Sequence, residues 1–168
     1  NCQKGLTGIS FGNFLIKQVA TDLGHEFKNL KSFVTLSPIP GFRKWMRNKY
    51  PKLNLKIEKI KKSDQLSKLK GDLLTCLGEY FFKSERSDKM PNDPVARFHL
   101  GNGASLEQIN FLGDVSSNGI ELSGGLMVNY LYDLEKVEQN HEMFVSEKKI
   151  NISKNAKNNL MRYYKEID

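Results

Sequence analysis

The chain has 168 residues and a mass of 19.2 kDa, the size of one domain. With 39% hydrophobic residues, ten Phe and six Tyr, it holds material for a core, which excludes wholesale disorder. No apolar run is long enough for a membrane-spanning helix, and the net charge of +7 sits largely in one stretch: between Lys49 and Lys70 eight lysines face only Glu58 and Asp64.

The opening Asn1-Cys2-Gln3-Lys4-Gly5 has no initiator Met and no secretory signal, and reads as the interior of something longer. Phe11, Leu15, Val19 and Leu23 recur every four residues, which predicts a helix ending at Gly24. Residues 31–36 are rich in strand formers, and Ser37-Pro38-Ile39-Pro40-Gly41 ends that strand in a stiff turn. A short helix follows over 42–48. The lysine-rich stretch leads into Leu66, Leu69, Leu73, Leu77 and Tyr80, the spacing of a second amphipathic helix.

After a loop at 84–92, Asp93-Pro94 sets a capping carboxylate before a proline at the first helical position. That helix, 94–100, is stopped by Gly101-Asn102-Gly103. Extended segments at 106–112 and 127–134 are joined by a Ser/Gly-rich link, and the tail 153–164 is a weak polar helix. The order of helix, strand, helices, strand, strand predicts an α/β or α+β domain.

Chemistry has few candidate carriers. Cys2 and Cys76 cannot build a disulfide framework, and no Cys/His cluster has zinc-ligand spacing; a reducing compartment fits better than secretion. Gly5, Gly8 and Gly12 lead into the first helix, where bare N–H groups and the helix dipole suit a phosphate, or where small residues simply permit close packing. His25 and His141 read as surface residues. His99 sits just before the Gly-Asn-Gly break, either as a buried structural histidine or with one nitrogen facing a cleft. Ser37 lies at a strand end, where α/β sheets bind ligands, or is a turn serine. The lysine run reads as a solvated insertion, with no specific nucleic-acid partner and no membrane partner.

The strings GLTGISFGNFLIK, TLSPIPGFRKW, DPVARFHLGNGASLEQINFLGD and GLMVNYLYDLEKVEQNHE resemble the catalytic domain of the malonyl-CoA decarboxylase family, from Gln3 to about Val145. The resemblance implies an acetyltransferase-like (GNAT) α/β fold, a mixed sheet flanked by helices, here without its leading strands. It implies a catalytic acyl-CoA-binding domain over 1–150, with the lysine-rich insertion at about 49–70 and a C-terminal helical tail at 151–168. The family's catalytic serine and histidine match Ser37 and His99. Its acyl-CoA loop matches Thr7, Gly8, Ile9, Ser10, Phe11, Gly12 and Asn13, with Ser10 standing where family members commonly carry Glu. It implies malonyl-CoA as substrate, no metal, and no cofactor beyond the coenzyme A of the substrate. It also implies a cytoplasmic or organelle-matrix enzyme that self-associates through an N-terminal helical domain outside this chain. A GNAT-type acyltransferase and a non-catalytic acyl-CoA binder are the alternatives, and Lys49, Lys52 and Lys56 are candidate contacts for coenzyme A phosphates.

Overall fold

The computed structural model describes residues 12–30, 32–60, 63–83 and 85–160. Helix α1 (Gly12–Glu26) leads to strand β1 (Phe33–Pro38), then to α2 (Phe42–Lys49) and α3 (Pro51–Glu58). A 3₁₀ segment (Ser63–Leu69) runs into α4 (Lys70–Phe82). Next come α5 (Pro94–Gly101), β2 (Ser105–Asn110), α6 (Ser117–Ser123), β3 (Met127–Tyr132), α7 (Val137–Glu147) and α8 (Lys154–Asn159). The described strands form a sheet in the order β1-β3-β2, antiparallel throughout, and a parallel bridge joins Leu106 to Ile152. This is the expected α/β class, with helices around a sheet. No helix of the described residues is long and apolar enough to cross a membrane.

Several boundaries move for local reasons. Helix α1 passes through Gly24 and ends at Glu26, so Gly24 is not its cap. Helix α3 lies inside the lysine run: Pro51 stands at its first position and Ile57 plants it in the core. Helix α6 arises within the Ser/Gly-rich link, because the Ser116 hydroxyl accepts from the Gly119 N–H and Gly124 closes the helix in the left-handed region.

The core holds Phe42, Met46, Leu73, Leu77, Tyr80 and Phe81 from the helices and Leu106, Val128 and Tyr130 from the sheet. The tail reaches it too, since Ala156 and Leu160 are buried and α8 packs on β2. A guanidinium lies inside: Arg43 donates from Nε and Nη2 to Asn54 Oδ1 at 3.0 and 2.7 Å, and from Nη1 to the Ile120 carbonyl at 3.0 Å. That guanidinium ties α2, α3 and α6 together.

Two features aim the sheet and α5 at each other. In β1 the residues alternate, with Val34 and Leu36 exposed and Ser37 buried. Register pairs Phe33 with Tyr132, Thr35 with Tyr130 and Ser37 with Val128, so Thr35, Ser37, Tyr130 and Tyr132 share one sheet face. Helix α5 begins where expected: Asp93 Oδ1 accepts from the Ala96 N–H at 2.8 Å, and Pro94 follows. It ends in a tight turn where Gly103 adopts φ +81°, and a Cβ there would stand 2.1 Å from the Val137 carbonyl oxygen. Only glycine lets α7 approach this closely.

Candidate active site

Helix α5 carries His99 over the sheet face that bears Ser37. The His99 Nε2 lies 3.1 Å from Ser37 Oγ, and its Nδ1 lies 2.7 Å from the Tyr132 hydroxyl. Thr35 Oγ1 is 3.2 Å from Ser37 Oγ. The Tyr130 ring stacks on the imidazole, with centroids 4.5 Å apart and planes 20° apart, while Phe98 meets it edge-on. Both ring nitrogens are thus engaged and the ring plane is fixed by an aromatic neighbour.

The electrostatics follow from burial. Ser37 and His99 are 5% and 9% exposed. Desolvation pushes the His99 imidazole down to about 4, so it is neutral at neutral pH. Burial also raises the Tyr130 and Tyr132 phenols, which stay protonated. Asp93, fully buried at the head of α5, is pushed up to about 6 by desolvation against the pull of neighbouring N–H groups and Arg97. A neutral imidazole between a phenol and a serine hydroxyl can pass a proton along one line without creating an isolated buried charge.

Behind α5, helix α7 fixes the turn that follows His99. His141 Nδ1 donates to the Gly101 carbonyl at 2.7 Å, and Asn140 Nδ2 donates to the Gly103 carbonyl at 3.1 Å. His141 is therefore half-buried and structural, rather than a plain surface residue, and His25 is exposed in the last turn of α1.

Of the residues singled out in the sequence, Ser37 and His99 are brought together although 62 positions separate them. Gly12 and Asn13 open α1, whereas Thr7, Gly8, Ile9, Ser10 and Phe11 lie outside the described residues. Lys49 is occupied: its amine pairs with Glu79 at 2.7 Å and Glu85 at 2.9 Å. Lys52 and Lys56 line, with Lys49, a cavity of about 520 Å³ against Thr75 and Cys76 of α4. Among the described residues no group of three or more His, Cys, Asp or Glu could hold a metal ion. The residues missed in the sequence are Thr35, Tyr130 and Tyr132. Their signal was period-two alternation in TLS and NYLY, which puts each set on one face.

A buried serine–histidine contact on an α/β domain defines a class rather than a reaction. The comparisons narrow it. The family model of the malonyl-CoA decarboxylase C-terminal domain matches residues 1–167, and the chain belongs to that family. It is 34% identical to the mitochondrial malonyl-CoA decarboxylase of Anser anser anser, covering 90% of this chain and 36% of that protein. The Rattus norvegicus counterpart is 35% identical, with 90% and 37% covered. The crystal structure of malonyl-CoA decarboxylase from Rhodopseudomonas palustris superposes with a TM-score of 0.85 at 41% identity, covering 96% of this chain and 40% of the other. That from Cupriavidus metallidurans gives 0.76 at 33% identity, covering 95% and 46%. The chain thus spans little more than a third of the curated relatives it matches.

Proposed function

We propose that this chain supplies the reacting pair of a malonyl-CoA decarboxylase, which turns malonyl-CoA and a proton into acetyl-CoA and CO2. The observation that carries the reading is the buried contact between Ser37 Oγ and His99 Nε2, within the family's intact motifs. In malonyl-CoA the carboxylate is β to a thioester carbonyl. Breaking the bond to CO2 leaves its electron pair on the α-carbon, delocalised into the carbonyl as an enolate. The thioester is its own electron sink. The protein must hold the carboxylate out of the thioester plane, stabilise the enolate oxygen and return a proton to carbon.

Ser37 is suited to bind the malonyl carboxylate or to orient the acyl group, and His99 to deliver the proton. A neutral resting imidazole fits this order of events. An arriving carboxylate favours imidazolium, so substrate itself raises the proton-holding capacity of His99. Coenzyme A would lie along residues 7–13, the stretch that matches the family's acyl-CoA-binding motif, with its pyrophosphate on backbone N–H groups at the start of α1. Lys52 and Lys56 are offered as contacts for outlying phosphates, while Lys49 is held by its two glutamates.

The reading puts the enzyme in the cytoplasm or an organelle matrix, where a buried thiol outside any disulfide, such as Cys76, persists. Self-association would use segments outside this chain. The test is turnover of malonyl-CoA by the complete protein without an acyl acceptor. Acetyl-CoA and CO2 in equal amounts support it. An acyltransferase would release free coenzyme A only when an amine is added, and a binder would form neither product.

A further inference from the structure

We propose that Thr35 is a positioning residue for Ser37: its hydroxyl is the second hydrogen-bond partner that keeps Ser37 Oγ seated on His99 Nε2. The two hydroxyls stand two residues apart on one face of β1, and Thr35 Oγ1 lies 3.2 Å from Ser37 Oγ. On its other side Ser37 Oγ meets His99 Nε2 at 3.1 Å. The serine oxygen is thus held between two partners at nearly equal distance. Ser37 is buried, so water is a poor substitute for either of them.

Thr35 is itself doubly anchored. Its carbonyl accepts from Asn129 Nδ2 at 2.9 Å, Asn129 Oδ1 accepts from Asn110 Nδ2 at 2.6 Å, and Asn110 Oδ1 accepts from Gln108 Nε2 at 2.8 Å. A file of side-chain amides therefore crosses from β2 through β3 and ends on the backbone of this one residue of β1. The Thr35 side chain is β-branched, which restricts its χ1. Backbone and rotamer together hold the hydroxyl against Ser37.

The chemistry of the hydroxyl explains why a second partner is needed. A serine hydroxyl carries one proton and two lone pairs. When His99 donates to Ser37, the serine needs an acceptor for its own proton. When Ser37 donates to His99, its oxygen is best served by a donor. The Thr35 hydroxyl turns about its C–O bond and fills either role. This freedom matters to the proposed decarboxylation, on which the kinetic part of the inference rests. Once His99 has delivered its proton to the α-carbon, a bare ring nitrogen facing Ser37 becomes an acceptor. The Ser37 hydrogen bond then reverses, and with Thr35 opposite it does so without moving the oxygen. With a methyl group in place of the Thr35 hydroxyl, Ser37 loses one of its two partners inside the protein and is drawn to another rotamer.

Thr35→Val keeps the β-branched shape and removes only the hydroxyl. The complete protein carrying it is crystallised and assayed with malonyl-CoA. Ser37 is expected to populate a second rotamer with Oγ turned away from His99 Nε2, while strand register and the His99–Tyr132 contact persist. In the same variant kcat should fall about tenfold or more, with KM for malonyl-CoA changed less than about twofold, the pattern of a misplaced group rather than a lost substrate contact. Thr35→Ser, which returns a hydroxyl without the methyl group, should recover most of the lost kcat. A Ser37 that keeps its single rotamer in Thr35→Val overturns the proposal. So does a raised KM with kcat retained, because the hydroxyl would then be holding substrate rather than Ser37. Failure of Thr35→Ser to recover kcat overturns it as well, since shape and not the hydroxyl would be at work. If Thr35→Val does not fold, Thr35→Ala is read in the same way. A displaced Ser37 in a protein whose unmutated form does not turn over malonyl-CoA upholds the positioning role and removes the decarboxylase reading.

Discussion

Ser37 and His99 meet at 3.1 Å because each stands at the end of an element aimed at the same sheet face. Ser37 closes the inward-facing row of β1, and His99 occupies the last turn of a helix capped by Asp93. The pair is placed by secondary structure rather than by a loop, which favours a precise geometry.

His99→Asn keeps a polar side chain and removes the titratable acid. It should lower kcat by about 10²–10⁴-fold and leave coenzyme A affinity nearly unchanged, as read by steady-state kinetics and calorimetric titration. In heavy water the unmutated enzyme should place one deuterium in the methyl group of acetyl-CoA, measured by mass spectrometry. An unlabelled methyl group, or equal rates in the two proteins, would defeat the mechanism.

Ser37→Ala removes the hydroxyl between Thr35 and His99. Turnover should fall, and KM for malonyl-CoA should rise if that hydroxyl holds the substrate carboxylate. Acetyl-CoA, which lacks the carboxylate, then serves as the control: its dissociation constant should not move.

Acid stability has a defined shape. The folded-state pKa of His99 lies near 4, below its unfolded value of about 6.5, so the unfolded chain binds protons first. Stability is lost from this group as pH falls from about 6.5 to 4. Asp93 runs the other way: its folded-state pKa is near 6, above about 3.8 in the unfolded chain, so protonation in that window favours the fold. His99→Gln should therefore flatten the fall in Tm between pH 6.5 and 4. Asp93→Asn, which keeps a capping side chain, should steepen it.

Gly103→Ala places a methyl group against the Val137 carbonyl in a left-handed backbone. The strain alone is worth about 1–3 kcal/mol, and relief requires α7 to move off the turn after His99. Denaturant unfolding should show the loss, accompanied by lower kcat.

Gly8→Val sets a branched side chain where a pyrophosphate would meet the backbone, and should weaken coenzyme A binding measured by calorimetry. Unchanged affinity would take the glycine loop out of the site.

Much of the scaffold was legible. Asp93-Pro94 and Gly101-Asn-Gly bracket α5 almost to the residue, because a carboxylate cap, a fixed φ and a glycine stop each act locally. The strands at Phe33–Pro38 and Met127–Tyr132 were seen within a residue or two. Helices α3 and α7 were hidden by polar composition: α3 buries only Asn54 and Ile57, and α7 only Val137, Asn140 and Phe144, too few for an apolar stripe to stand out. Spacing alone left Ser37 and His99 as open alternatives, since nothing in one dimension joins residues 62 apart. The motif resemblance singled them out. Tyr132 escaped notice because its role depends on strand register, which is set by pairing with β1 and not by its neighbours in sequence.

The interior guanidinium of Arg43 gives one residue type a privilege that charge does not explain. A lysine there would preserve +1 and most of the aliphatic stem, and a substitution matrix would score the exchange as mild. Yet an ammonium is a point donor. It cannot reach Asn54 on one side and the Ile120 carbonyl on the other as the planar fork does. An ammonium turned to the Ile120 carbonyl, which already accepts from the Gly124 N–H, would strand the buried Asn54 Oδ1 at a cost of about 1–3 kcal/mol, and one turned to Asn54 would release α6. Arg43→Lys therefore belongs with the damaging exchanges: variation that looks neutral by chemistry would be read by the fold as the removal of a joint.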